Sequence, residues 1–530
     1  MKARLLFCAL LLAFTTSLSA QKAAPIPLPP MGWSSWNSFS NTVDSENVMA
    51  QAKAMASNGM QKAGYQYVNI DEGWWLGERH PDGSFVIDPK AWPALAPGEK
   101  PGDMANIVRA IHRLGLKAGI YTDAGQNGCS MYPDLGPKYF HTGSEGHYEQ
   151  DFLQVAQWGF DYVKVDWCGG DKENLDPAVQ YAAIARAIAR AESITGHRLY
   201  FSICEWGKNS PWTWAPNIGG APANIWRTSG DIVDPIVAGH EHADRKVSLP
   251  KMLSNFDQGI HPEAQHTGFF NDPDMMVLGM PGLSDVENRL HMSLWAMSGA
   301  PLLVGADLTT LTPASLATLT NPAVLAVDQD PRGLQAVRIA SPAPGVEVWS
   351  KLTAPAGTRA VLLLNRTTAA ADVAVQWKDL GLVANKAVKV KDLWSGRELD
   401  ATPDGYSAHL SGSGFVLLLI SGTEAKKMDY TPVPAVGQSS SGSLTFQNVT
   451  SHLQIAPVEI AYTNPDASPR IVELRVNDQT PTRISLPSTG AGQQGKVWVQ
   501  VVLDHAEKGN RLIFSTPCGQ APGVASIAVQ

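Results

Sequence analysis

Eight short apolar runs, nearly all ending in a polar or acidic residue, constrain this chain more than any other feature. They are "MGWSSWNSF" (31–39), "YQYVNIDEGW" (65–74), "LKAGIYTDAG" (116–125), "DYVKVDWC" (161–168), "LYFSICEWG" (199–207), "NIWRTSGD" (224–231), "GFFNDPDM" (268–275) and "PLLVGADL" (301–308). Helical stretches such as "GDMANIVRAIHRLGL" (102–116) separate them, with apolar residues every three or four positions. Strands that alternate with helices pair in parallel through crossover connections. Eight such units over residues 25–332 predict an α/β chain with a (β/α)8 TIM barrel. A doubly wound open sheet is the competing topology.

The acids at the strand ends are Asp71 and Glu72, Asp123, Asp166, Glu205, Asp231, Asp272 and Asp274, and Asp307. In a barrel these ends converge on the face that carries the catalytic loops. One such Asp is as readily a helix N-cap, but capping is an incomplete account of so many. The run "DYVKVDWCGG" sharpens the point. Side chains alternate along a strand, so Tyr162, Lys164, Asp166 and Cys168 share one face, with Val163, Val165 and Trp167 on the other. An Asp facing a barrel mouth beside an ammonium is expected to be held ionised, its pKa depressed by the neighbouring charge. A fixed carboxylate of that kind suits a covalent nucleophile. Asp231, four residues after Arg227, offers the second carboxyl that glycoside hydrolysis needs. A purely structural buried ion pair is the competing account of Lys164 and Asp166.

The rest of the chain reads differently. Residues 333–422 alternate apolar and polar ("VEVWSKL", "RAVLLLNRT", "GFVLLLISG"), as an antiparallel β-sandwich does. Residues 423–442 read as a linker, and 443–530 as a second β-sandwich domain that is a candidate carbohydrate-binding module. Residues 1–24 have Lys2 and Arg4, an apolar run from Leu5 to Phe14 and then small residues, the layout of a signal peptide. The expected location is therefore secreted or periplasmic, with no other segment of membrane-spanning length. Of five cysteines, Cys8 leaves with that leader. Cys129, Cys168, Cys204 and Cys518 remain, and their spacing leaves the pairing open. A net charge of −8 gives no reason to expect nucleic acid as a partner. His240 and His242 in "GHEHAD" have no matching ligand set nearby, so no metal is expected.

In order along the barrel, "MGWSSWNSF", "NIDEGWW", "GIYTDAG", "VKVDWC", "CEWG", "WRTSGD" and "NDPDMM" resemble glycoside hydrolase family 27, the α-galactosidase (melibiase) family. The resemblance implies a retaining exo-glycosidase that needs no cofactor and acts on α-galactosides. It implies Asp166 as nucleophile and Asp231 as general acid/base, with Trp36, Asp71, Glu72, Tyr121, Lys164, Cys168, Glu205, Arg227 and Asp274 around the sugar. It also implies a Cys129–Cys168 disulfide beside the nucleophile. Two positions depart from the common pattern. Glu72 stands where Asp is usual, a form similar to the family's β-L-arabinopyranosidase branch, whose substrate lacks the hydroxymethyl group. Asn209 stands where an aromatic is common, beside the Glu205 expected at the 2-hydroxyl. β-L-Arabinopyranosidase as the main activity, a non-catalytic sugar-binding barrel and a metal-dependent hydrolase are the alternatives.

Overall fold

The structure is a computed structural model that describes residues 26–129, 140–221, 223–233, 247–385, 387–433, 442–517 and 519–530. The leader, His240, His242 and Cys518 lie outside the described residues. Eight strands form the N-terminal sheet: β1 (Met31–Ser34), β2 (Tyr67–Ile70), β3 (Lys117–Asp123), β4 (Tyr162–Asp166), β5 (Tyr200–Cys204), β6 (Ile225–Arg227), β7 (Phe270–Asp272) and β8 (Leu302–Val304). Neighbours pair in parallel in chain order, and β8 returns to β1. A parallel bridge between Met276, just past β7, and Val304 of β8 completes the ring. The open-sheet alternative is thereby excluded.

Alternation along the strands sorts the side chains. Val163 and Val165 pack outward into the helical layer and are buried. Tyr162 faces inward with Tyr67, Tyr200, Ile225 and Phe270, and the Tyr162 and Tyr200 rings stack at 5.7 Å. This apolar layer plugs the barrel below the polar residues of the mouth. The outer helices carry the terminal signals their sequence suggests. Ser284 and Glu287 form a capping box at Asp285–Ser298. Asp176 caps Pro177–Thr195, which ends at left-handed Gly196.

Two β-rich units follow. The first has a six-stranded sheet and a two-stranded sheet, with Val348, Leu363, Val375 and Leu418 in a core of its own. The second has two four-stranded antiparallel sheets around Phe446, Val458, Leu474 and Phe514. The stretch 423–442, read as a linker, is partly structural: Met428–Tyr430 pairs with Val524–Val529 at the edge of this last unit. Asn365, in the sequon "NRT", is buried and donates to Ala369 O and Ser411 O, so it is no glycosylation acceptor in this fold. No described helix is long and apolar enough to cross a membrane.

Candidate active site

Strand register sets Tyr121 beside Lys164, and Asp123, Asp166 and Cys204 side by side on β3, β4 and β5. Lys164 Nζ lies 3.0 Å from Asp71 Oδ2 and 3.5 Å from Asp166 Oδ2. It also sits 5.1 Å from the centroid of the Tyr121 ring, within cation–π range. Ser34 Oγ donates to the same Asp71 oxygen, and Trp167 N donates to Asp166 Oδ1 at 2.9 Å. Asp166 is thus fixed through both oxygens, with its side chain only 6% exposed.

Arg227 organises the opposite wall. It pairs with Asp274 Oδ1 at 3.0 Å and with Asp231 Oδ1 at 3.2 Å, and its Nη1 is 3.7 Å from Cys204 Sγ. Asp274 adopts a φ of +91°, which costs an Asp on the order of 1–3 kcal/mol. Its surroundings over-determine that conformation. Asp274 N donates to Asp272 Oδ1, Ile232 N to Asp274 Oδ2, and Trp295 Nε1 to Asp274 O. Asp231 differs from Asp166 in setting, since its side chain is 45% exposed at the mouth. Trp36 begins a short helix directly after β1 and is half-buried.

The loops after β3 and β4 meet backbone to backbone at Gly125 and Gly169. A Cβ on Gly125 would lie 2.3 Å from the carbonyl carbon of Gly169. This contact brings Cys129 and Cys168 to a Cα separation of 4.9 Å, and they form the disulfide implied by the resemblance. Glu72 is buried, with Oε1 just 2.3 Å from where a Cβ on Gly128 would stand. The longer acid therefore fits because residue 128 carries no side chain. Neither Ser34, which holds Asp71, nor Gly128 was singled out from the sequence. The Gly-rich ends "AGQNG" and "CGG" after two strands were the available signal.

Electrostatics corrects one expectation. Burial pushes the Asp166 carboxyl above its ordinary pKa; Lys164 pulls it back, and Asp71 and Asp231 push it up further. The lysine moderates a rise and does not produce a net depression. Burial alone would lower the Lys164 ammonium, but Asp71, Cys204 and Asp166 raise it well above its usual value. Asp274 is pushed up to about 6, by burial first, against Arg227. Glu205 is raised to about 7 by burial, although Asn209 N and Nδ2 both donate to its Oε2. Its Oε1 is buried with no hydrogen-bond partner among the described residues.

Not every strand-end acid serves the pocket. Asp123 Oδ1 accepts from Gly125 N and Gly169 N, and Asp307 Oδ1 accepts from Thr309 and Gln51. Structural bonding accounts for these two. Asp123, Cys129, Asp166 and Cys168 have donor atoms within 4.8 Å of one another, but the two sulfurs are committed to the disulfide.

The family described as alpha galactosidase A matches residues 28–330, its C-terminal beta sandwich domain 343–420, and an alpha-galactosidase CBM13 domain 443–529. Alpha-galactosidase A of Cellvibrio japonicus is 35% identical over 421 residues, covering 77% of this chain and 96% of that protein. Alpha-galactosidase I from Mortierella vinacea superposes with a TM-score of 0.64 at 29% identity, covering 75% of this chain and 98% of the other. A β-L-arabinopyranosidase from Geobacillus stearothermophilus shares the fold at a TM-score of 0.62 and 23% identity, covering 78% and 98%. With a closed barrel whose mouth gathers carboxylates around Lys164 and Arg227, and relatives matched along most of their own length, the chain belongs to the α-galactosidase family, glycoside hydrolase family 27, and is a glycoside hydrolase.

Proposed function

We propose that the enzyme releases terminal α-D-galactosyl units by double displacement, with Asp166 as nucleophile and Asp231 as acid, then base. The observation that carries this reading is the contrast between the two carboxyls. Asp166 is buried and held by Lys164 and Trp167 N, whereas Asp231 stands on Arg227 at the open mouth. Asp166 attacks the anomeric carbon while Asp231 protonates the leaving oxygen. Asp231 then takes a proton from water, which hydrolyses the glycosyl-enzyme. Lys164, Asp71, Arg227 and Asp274 offer charged partners to the ring hydroxyls, Trp36 offers aromatic surface, Tyr121 backs Lys164, and the unpartnered Glu205 Oε1 offers an acceptor. Export fits the Cys129–Cys168 disulfide, which persists in an oxidising compartment. The exported fraction of producing cells should hydrolyse p-nitrophenyl α-D-galactopyranoside, with α-galactose the first product seen by proton NMR. First release of β-galactose would overturn the mechanism.

A second reading, β-L-arabinopyranosidase as the main activity, is favoured by Glu72. An Asp would end one bond short of the wall at Gly128 and leave more room for a hydroxymethyl group. A methylene-sized change is worth about 10–200-fold in specificity. Glu72→Asp is expected to raise the galactoside-to-arabinoside ratio of kcat/KM by roughly tenfold or more. An unchanged ratio on the two nitrophenyl glycosides would remove Glu72 from the account.

The charges also set a pH dependence. Asp166 must be ionised to attack, so activity falls as pH drops through its pKa, which burial holds above the ordinary value. Lys164→Met removes the group that pulls that pKa down. The acidic limb of kcat/KM should move to higher pH, beyond any loss of binding. A limb that stays in place would mean another group controls it.

A further inference from the structure

The stretch "HPEAQH" (261–266) plays no part in the site above, yet it lines a second cavity. This cavity, about 230 Å3, lies where the barrel meets the C-terminal sandwich. The barrel supplies Trp212, Glu263 and His266. The sandwich supplies two of its edge strands, Thr482–Leu486 and Gly495–Val502, and the loop through Gln479 and Thr480. The walls are tied together across the domain boundary. Asn217 Nδ2 donates to Pro481 O, Ser485 N to Thr267 Oγ1, and Gln500 Nε2 to Gln335 O.

Two polar atoms of the lining are left over. His266 is 1% exposed; its Nδ1 bonds Thr267 Oγ1 and its Nε2 has no partner among the described residues. Gln500 is 3% exposed, and its Oε1 likewise has none. Orphaned buried polar atoms are costly, at about 1–3 kcal/mol each, and two such atoms lining one cavity, one from each domain, mark a place where a ligand or water is needed. Gln479 adds an anchored amide, held through Nε2 by Val502 O and Asp504 Oδ1. Trp212 adds an aromatic ring whose stacking on His261 fixes its position.

We infer that this cleft binds one neutral sugar ring of a polysaccharide, a saccharide site separate from the catalytic pocket. Among the described residues no Lys or Arg lines it, so it is not built for an anion. Its volume falls below the roughly 300–1,000 Å3 of drug-sized sites, which suits a single ring. The mix of apolar valines, one indole, a carboxylate, an imidazole and three amides matches a molecule with an apolar ring face and a rim of hydroxyls. Burial lowers the His266 pKa to about 4, so its ring stays neutral and can serve a hydroxyl. The choice of saccharide rests on the proposed glycosidase reading, since that is the substrate the enzyme meets.

The test is native affinity electrophoresis of the full chain carrying Asp166→Asn, in gels containing galactomannan or arabinogalactan. Retardation should be lost, by roughly tenfold in apparent affinity, when Gln479→Ala or Thr480→Arg is added. The same two substitutions placed in the active enzyme should leave hydrolysis of p-nitrophenyl α-galactoside within about twofold, which also reports correct folding. Equal retardation of parent and cleft variants overturns the inference, as does a parent that neither gel retards. Absence of hydrolysis in the unsubstituted enzyme would instead count against the proposed function.

Discussion

Replacing Asp166 by Asn is expected to lower kcat on p-nitrophenyl α-D-galactopyranoside by about 10⁴-fold or more, the scale on which loss of a covalent nucleophile acts. Asn keeps the shape of the side chain, and its carbonyl oxygen can still accept from Trp167 N, as Asp166 Oδ1 does at 2.9 Å. Lys164 is not stranded by the change, because Asp71 remains 3.0 Å away. The penalty for a buried cation left without any partner, about 3–5 kcal/mol, is therefore avoided. The variant should fold, as followed by thermal unfolding, and should still bind galactose. What it loses is the group that forms the bond to the anomeric carbon. Residual turnover within tenfold of the parent would mean that Lys164 and Asp166 are the structural ion pair that their burial also permits.

The barrel was legible because its signals are local. Each strand is a short apolar run bounded by helical periodicity, and the alternation in "DYVKVDWC" correctly put Tyr162, Lys164 and Asp166 inside and Val163 and Val165 outside. Cys168 escaped that pattern, since the strand ends at Asp166 and a helical turn begins at Cys168. The balance of charge on Asp166 was not legible. Spacing reveals the lysine two residues away but not the depth of burial or the approach of Asp71 from another strand. Asp123 and Asp307 were indistinguishable in sequence from acids of the pocket, because partners such as Gly169 and Gln51 lie far along the chain. The strand Met428–Tyr430 was missed for a different reason. Three residues are too few to show alternation, and the partner Val524–Val529 comes about a hundred residues later. The saccharide cleft depends on two domains meeting, which no single segment encodes.

Removing Asp231 should have an effect that depends on the leaving group, and this dependence separates an acid/base from a residue that merely helps to hold Arg227. For methyl α-D-galactopyranoside, whose leaving alkoxide is a strong base, Asp231→Ala should reduce kcat/KM by about 10²–10⁴-fold, the range attributed to general acid catalysis. For a dinitrophenyl galactoside the leaving group departs without a proton, so the first step should change little. The second step still lacks its base, and the glycosyl-enzyme on Asp166 should accumulate as a burst followed by slow turnover. Because the Asp231 side chain is 45% exposed, its removal opens the mouth where the attacking water would stand. A small anion such as azide should enter there and restore turnover by forming galactosyl azide directly. Arg227 tolerates the loss, since Asp274 at 3.0 Å and Ser229 O at 3.1 Å still hold it. Equal losses on both substrates, with no response to azide, would instead assign Asp231 a role in shaping the pocket, and the proton would have to come from another group.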